Sequence, residues 1–568
     1  MRLKSTYAPK SFSFQQGRLG AAVVQSLETA RVRLWVATIL FLFGLLAVFG
    51  RLVDLTLFRS GEDLSGGARH PAFVAGRADI TDRNGTLLAT TLVTSSLYAN
   101  AKKVQNPQEA AKKLVALFPQ LKEETVLARL KSDKSFVWLL RHLTPHQQGQ
   151  VLELGIPGLD FMRDYRRIYP QGRLASHVLG FTDIDNVGVA GVECSFDERL
   201  RTQAEPLRLS LDARLQTIMY DEIQKGIEEF GCLGGSGCLM DLKTGEILSM
   251  VSLPDFDPNK PTKVDNPNAL FNKVTLGVYE MGSIMKIPNT AMALESGKMT
   301  LASTFDTSQV LKIGRFTPTD YRANHGVINI AEIFVHSSNK GSARIALALG
   351  GEYQKAFLKK IGVLDPVTVE LPEKGSPIVP KRWREDKIIT ISYGYGLSMG
   401  QLQSLTVIAS LIRPWGKITP TLVAKEMDTP VHGEMLVSDK TRKSLLHLMR
   451  FVVTQGTSRK AQVPGYFIGG KTGTADLLEN GRYNKQRVSS AFLGVLGENI
   501  SSVRYIMVVR LDDPQRLAKT YGFNTAGWNV VPVAGRIMGR VAGVVGLLPR
   551  EDGKILEPFF QNASFEKK

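Results

Sequence analysis

The sequence predicts an α/β (α+β) architecture: a large C-terminal domain whose sheet combines early and late chain, a smaller mixed α+β module before it, and one N-terminal membrane helix. Three observations predict it. An uncharged apolar run lies near the N-terminus, strand-like text brackets a long helical stretch in the C-terminal part, and 568 residues exceed what one hydrophobic core organises. With 43% hydrophobic and 22% charged residues, the composition is that of folded protein.

The apolar run, residues 34–50, is bounded by Arg31 and Arg33 before it and Arg51 after it. It falls slightly short of the ~20 residues that span a bilayer, and residues 52–58 add apolar length broken only by Asp54. The preceding arm carries Arg2, Lys4, Lys10, Arg18, Arg31 and Arg33 against Glu28, so the positive-inside rule keeps the N-terminus in the cytoplasm and sends the rest outside. No A-x-A-like cleavage site follows the run. The expected divisions are a cytoplasmic basic arm (1–33), a transmembrane anchor (34–58), a non-catalytic pedestal (59–205), a catalytic domain (206–549) and a tail (550–568).

Within the pedestal, residues 59–70 read as a polar linker, residues 79–85 (DITDRNG) end in a turn signal, and residues 107–131 have helical spacing. No chemistry is obvious there, and the region reads as a spacer or docking module. In the next domain a helix is expected over 213–230, then a hairpin of 235–241 and 246–252. A Pro-, Asp- and Asn-rich loop fills 254–268. Helical text runs over 283–295 and 331–349, late strands over 466–472, 490–495 and 505–511, and a last helix over 527–548.

Lys and Arg number 71 against 53 Asp and Glu, a net charge of +18. Nucleic acid, anionic lipid and anionic glycopeptide all suit such a surplus. Zinc-finger spacing, ribonucleoprotein-type aromatics and long basic runs are lacking, so the surplus reads as a basic surface beside acidic lipid and no nucleic-acid partner is expected. Three cysteines make no disulfide framework; Cys232 and Cys238 either pair across a glycine-rich stretch or remain buried thiols. Their spacing suggests no metal.

Chemistry is carried by three short motifs. Ser283-Ile-Met-Lys286 is an S-x-x-K; on a helix it puts an amine beside a hydroxyl on one face, ready to accept its proton once burial or another cation lowers the lysine pKa. The same pattern recurs at Ser337–Lys340 and Ser564–Lys567, but at Ser283 a glycine precedes it and a helix start supplies N–H groups for an oxyanion. Ser337-Ser338-Asn339 offers a hydroxyl and an amide, and in isolation reads as a turn or helix cap. Lys471-Thr472-Gly473-Thr474 follows an apolar strand and suits a carboxylate lying along a strand edge. Another K-T-G, Lys243-Thr244-Gly245, falls in the hairpin turn, where its lysine is expected to be solvated.

In this order and context the three motifs resemble the S-x-x-K, S-D-N and K-T-G set of penicillin-binding proteins and serine β-lactamases. The wider chain resembles a class B penicillin-binding protein: GVYEMGSIMK (277–286) is similar to that family's Y-E-P-G-S-T-F-K element, with Met281 in place of proline, and PDFDPN (254–259), YGYGLS (393–398), AGWNVVP (526–532), 77–85 and 169–193 are further landmarks. The resemblance implies a transpeptidase domain with a central antiparallel sheet flanked by helices, and no E-D-x-x-F glycosyltransferase signature precedes it. It implies that Ser283 attacks D-Ala-D-Ala, that Lys286 is the base, that Ser337 and Asn339 relay protons and orient the donor, and that Lys471, Thr472, Gly473 and Thr474 hold its carboxylate. The N–H groups of Ser283 and Thr474 are the implied oxyanion hole; no cofactor is implied.

Among class B proteins the chain is most similar to the division-specific type, which implies stem peptides and β-lactams as ligands, a polytopic glycan polymerase and other divisome proteins as partners, and septal wall synthesis at the inner membrane. The alternatives are an elongation-specific paralogue and a β-lactam-binding sensor without transpeptidase activity. A β-lactamase is disfavoured because no E-x-x-L-N-like base follows Ser337.

Overall fold

The computed structural model describes residues 16–53, 76–264, 266–312, 317–320, 326–479 and 482–550. Contacts divide the chain into two units, 1–72 and 73–568. In the first, one helix, Gln16–Val53, contains the stretch Val32–Gly50, 19 residues with a mean hydropathy of 2.3, long and apolar enough to cross a membrane. The helix starts inside the predicted basic arm because residues 16–33 are proline-free and rich in Ala, Leu, Gln and Arg, all good helix formers. Residues 54–58 of the expected anchor, the linker over 59–70, and residues 551–568 of the tail lie outside the described residues.

The pedestal is built on a sheet of five strands. Leu87–Ala99 pairs antiparallel with both Val137–Leu143 and Leu159–Ile168, while the short strand Ile80–Thr81 joins it to Leu207–Arg208 in parallel. The module's first and last strands thus lie side by side. The expected helix over 107–131 is two helices, Pro107–Leu117 and Glu123–Leu130, because the intervening Phe118-Pro119 ends the first. Beneath them Leu97, Leu114, Phe118, Leu130 and Leu139 form a separate small core.

The pedestal continues into the C-terminal domain through backbone bonds: Ser210 N donates to Leu422 O (2.8 Å) and Asp212 N to Leu248 O (2.9 Å). Asp82, in the DITDRNG turn, accepts from Asn84 N and Thr86 N through Oδ1 and from Ala213 N through Oδ2 (3.0 Å). A pedestal carboxylate therefore sits on the first N–H of the helix Ala213–Phe230, where the helix dipole favours negative charge.

His177 belongs to the same junction. Its Nε2 lies 2.8 Å from Ala269 O, its ring meets Phe256 edge-on, and burial pushes its pKa down to about 4. The unfolded imidazole titrates near 6.5, so between about 4 and 6.5 the unfolded chain binds a proton that the folded chain refuses. Stability is expected to fall as pH drops through this window and to be fully present above it. Melting midpoints at several pH values check this: His177→Gln should flatten the acid-side slope relative to wild type.

The C-terminal domain carries a five-stranded antiparallel sheet in the order Phe467–Glu479, Arg482–Gly497, Val503–Asp512, Gly234–Asp241, Ile247–Leu253. Early and late chain meet where Val503–Asp512 pairs with Gly234–Asp241, as expected. One face is covered by Ala213–Phe230 and Val530–Val544, which share a core of Met219, Ile223, Val533 and Ile537. The other faces a larger helical layer including Lys286–Glu295, Gln401–Ile412 and Asp439–Thr454. Phe467–Glu479 is an edge strand, so one side of its backbone is left to the motifs described next.

Candidate active site

Ser283 lies on a 3₁₀ turn, Gly282–Met285, that runs into the helix Lys286–Glu295. The expected uninterrupted helix therefore opens with a tighter turn. In 3₁₀ geometry residues i and i+3 eclipse, which stacks Lys286 over Ser283 and puts its Nζ 2.9 Å from Ser283 Oγ. Pro288 is tolerated because the first N–H groups of a helix have no partner to lose. Gly282 has φ of 53°, and a Cβ there would come within 2.6 Å of Thr474 O. A Cβ on Gly473 would likewise overlap Met281 O. Glycine on both sides lets the nucleophile turn touch the strand edge, which brings the Ser283 and Thr474 backbones together.

The second motif breaks a helix that apolar spacing had joined. Ile330–Val335 starts on an Asn329–Glu332 capping box and ends at His336; Asn339–Leu349 begins afresh. Between them Ser337 adopts φ of 60°, a conformation that costs a non-glycine residue about 1–3 kcal/mol unless its surroundings enforce it. Ser338 is the N-cap of the new helix, its Oγ accepting from Gly341 N (3.0 Å). The cap and the functional readings of this S-x-N both hold: Ser338 caps, and its neighbours turn toward Lys286.

Lys286 Nζ lies 2.7 Å from Ser337 O, 2.7 Å from Asn339 Oδ1 and 3.1 Å from Ser337 Oγ. Ser337 Oγ in turn lies 2.9 Å from Ser283 Oγ and 3.0 Å from Lys471 Nζ. Five of the expected site residues are thus gathered around one hydroxyl. Thr472 and Thr474 share the opposite face of the strand. Thr472 Oγ1 is 3.1 Å from Thr457 Oγ1, and Thr474 Oγ1 accepts from Ala526 N (3.1 Å). Lys471 is fully buried, so it backs the site rather than presenting its ammonium at the surface.

Electrostatics follow from that burial. Desolvation, then the charge of Lys471, holds Lys286 well below the usual lysine range, and Asp320 opposes the shift. Burial alone pushes Lys471 down to about 7. A neutral Lys286 amine has two N–H groups and one lone pair. Ser337 O and Asn339 Oδ1 only accept, so they take the two N–H groups and leave the lone pair to the two hydroxyls, of which Ser283 Oγ at 2.9 Å is nearer than Ser337 Oγ at 3.1 Å. The arrangement can deprotonate Ser283 without any further group.

Several residues here lie outside the three catalytic motifs. Asp320 accepts from Ser338 Oγ, Asn339 N and Lys340 N. Glu280 accepts from Gly396 N (2.6 Å) and Tyr483 OH (2.9 Å), and burial raises its carboxyl pKa. Tyr395 stands edge-on to Tyr483 at 5.6 Å and its OH accepts from Asp476 N (3.3 Å). These bonds tie the nucleophile segment to the loop over 393–398 and to the hairpin, and GVYEMGSIMK and YGYGLS were the segments that pointed to them.

The other copies of the motifs lie elsewhere. Lys340 Nζ turns to Thr307 O (3.1 Å), and Ser564–Lys567 lies outside the described residues. Lys243, expected to be solvated, is half-buried and paired with Asp428 (3.0 Å), while Thr244 is buried against Glu246. All three cysteines are free. Among the described residues no group of three or more His, Cys, Asp or Glu side chains is arranged to hold a metal ion.

Fold and motifs together define a penicillin-binding transpeptidase on a pedestal. Residues 235–538 match the penicillin-binding protein transpeptidase domain and residues 72–228 the penicillin-binding protein dimerisation domain. The chain is 34% identical over 549 residues to the probable peptidoglycan D,D-transpeptidase FtsI of Caulobacter vibrioides, covering 94% of this chain and 92% of that one. It is 30% identical over 516 residues to the probable peptidoglycan D,D-transpeptidase PenA of Neisseria gonorrhoeae, covering 85% and 86%. In fold it is similar to penicillin-binding protein 3 of Mycobacterium tuberculosis, complexed with aztreonam (TM-score 0.64, 23% identity, 84% of this chain and 97% of that one). The chain belongs to the class B penicillin-binding proteins and is a peptidoglycan D,D-transpeptidase of that class. Peptidoglycan is its substrate, and β-lactam binding goes with the domain.

Proposed function

We propose that the chain cross-links septal peptidoglycan during cell division through a Ser283 acyl-enzyme. Ser283 Oγ gives its proton to Lys286 and bonds to the penultimate D-Ala carbonyl carbon; the C–N bond to the terminal D-Ala breaks, and that amine leaves with the proton. The amine of a neighbouring stem peptide then attacks the ester, and Ser283 recovers a proton through Lys286 and Ser337. Asn339 orients the donor, the Ser283 and Thr474 N–H groups hold the oxyanion, and the Thr472 and Thr474 hydroxyls, with Gly473 leaving room and Lys471 behind them, grip the terminal carboxylate. One observation carries this reading: a buried lysine, held by two carbonyl acceptors, whose Nζ lies 2.9 Å from Ser283 Oγ. β-Lactams acylate the same hydroxyl.

The division-specific role is supported by the wording around Ser283 and by likeness to the Caulobacter FtsI along nearly the whole chain. The basic arm before the apolar helix favours an N-terminus in the cytoplasm and a catalytic domain outside the inner membrane. A polytopic glycan polymerase met through anchor and pedestal is the expected partner. Incubating the protein with a donor peptide ending in D-Ala-D-Ala and an acceptor amine tests the chemistry: wild type should release one D-Ala per amide formed, and Ser283→Ala should form none. Cross-linking by the alanine variant would refute the proposal.

A further inference from the structure

We propose that Asp320 is a positioning residue for acyl transfer: from a separate segment it supplies the carboxylate that seats Ser337 and Asn339 against Lys286. The inference rests on Ser283 being the nucleophile and extends that reading to a residue outside all three motifs.

Three bonds converge on this carboxylate. Ser338 Oγ donates to Oδ2 at 2.8 Å, and the N–H groups of Asn339 and Lys340 donate to Oδ1 at 2.6 and 3.2 Å. They occupy the start of the helix Asn339–Leu349, where a negative charge is favoured. The same segment gives a fourth tie, Asn339 Nδ2 to Thr319 O (2.9 Å). That bond fixes the amide so that its oxygen, not its nitrogen, faces Lys286 Nζ.

The position of these bonds is what gives them a role in the reaction. They begin one residue after Ser337, whose left-handed backbone needs outside enforcement. Ser337 O and Asn339 Oδ1 are the two acceptors that take the N–H groups of Lys286. If either drifts, the lone pair no longer points at Ser283. The middle residue of the motif is Ser338 where the related S-D-N form has an acid, and Asp320 meets that serine's hydroxyl. The carboxylate missing from the motif is thus present beside it, brought by another segment. Its charge also faces Lys286, opposing the pull of Lys471, the other charged group among the described residues that bears on that amine.

Two variants separate position from charge. Asp320→Asn keeps an oxygen for the Asn339 and Lys340 N–H groups but removes the charge and the acceptor for Ser338 Oγ; Asp320→Ala removes all three. The readout is the second-order rate of acylation by a fluorescent penicillin, followed against pH on the full chain. Asp320→Ala is expected to acylate ~10- to 100-fold more slowly than wild type, the scale of a misplaced catalytic group. Asp320→Asn is expected to stay within several-fold at its optimum while its acidic limb moves ~0.5–1 unit to lower pH, because the ammonium form of Lys286 loses a stabilising neighbour. An Asp320→Ala rate equal to wild type, or an Asp320→Asn acidic limb that does not move, would overturn the proposal. Ser283→Ala run alongside should form no adduct; an adduct there would overturn the nucleophile reading itself.

Discussion

Lys286→Ala is expected to fold and to acylate at least ~100-fold more slowly than wild type, the scale of lost general-base catalysis. The amine is buried to 1% exposure between two carbonyl acceptors and two hydroxyls, and it lies 2.9 Å from Ser283 Oγ, in place to take that proton. Lys286→Arg should be as slow, since a guanidinium has no neutral form at accessible pH. That pairing distinguishes a base from a mere positive charge. The wild-type rate should rise with pH as Lys286 loses its proton, well below the usual lysine range, and fall again on the alkaline side as Lys471, near 7 in the substrate-free protein, goes neutral. Stopped-flow acylation with a fluorescent penicillin measures all of this, and circular dichroism checks the fold. A near-normal rate for either variant would remove Lys286 from the mechanism.

Glu193→Ala is expected to lower the stability of the pedestal by about 3–5 kcal/mol, the cost of removing one partner from a buried ion cluster. The Glu193 carboxylate is wholly inaccessible and receives Arg77 Nε on one oxygen and Arg167 Nε (2.7 Å) on the other. Arg77 also pairs with Asp197 (2.5 Å), and Arg167 Nη1 donates to Ala78 O (2.8 Å). Without Glu193, two buried guanidinium groups lose their shared counter-charge while their remaining bonds keep them from reaching water. Because Arg77 and Ala78 open the module and Glu193 nearly closes it, the cluster holds the two ends together. Urea unfolding followed through Trp138 fluorescence measures the loss; a change below about 1 kcal/mol would contradict the assignment.

Much of the site was legible because its chemistry is written in local words. S-x-x-K, S-x-N and K-T-G-T each sit within four residues, and Ser283, Lys286, Ser337, Asn339 and Lys471 lie in one neighbourhood. Elements with strong periodicity were legible too: the helix over 213–230 has the expected ends, and each strand of the central sheet was found, although the strands Phe467–Glu479 and Arg482–Gly497 extend well past the expected segments as a hairpin of polar residues. The break at Ser337 was not legible. Apolar spacing runs on from Ile330 through Leu349, and the left-handed turn is enforced by groups from elsewhere in the chain. Asp320 escaped notice for a similar reason: an aspartate in a loop reads as a solvated turn residue until the fold carries it to Ser338. Sequence also gives no depth: Lys471 is wholly buried, with its Nζ 3.0 Å from Ser337 Oγ.

The most direct measurement is to locate the covalent bond. Digesting the full chain after incubation with a penicillin and mapping the acylated peptide by mass spectrometry should find the adduct on the fragment containing Ser283 and on no other. An adduct on Ser337 or any other residue would contradict the account, whatever the kinetics of the variants.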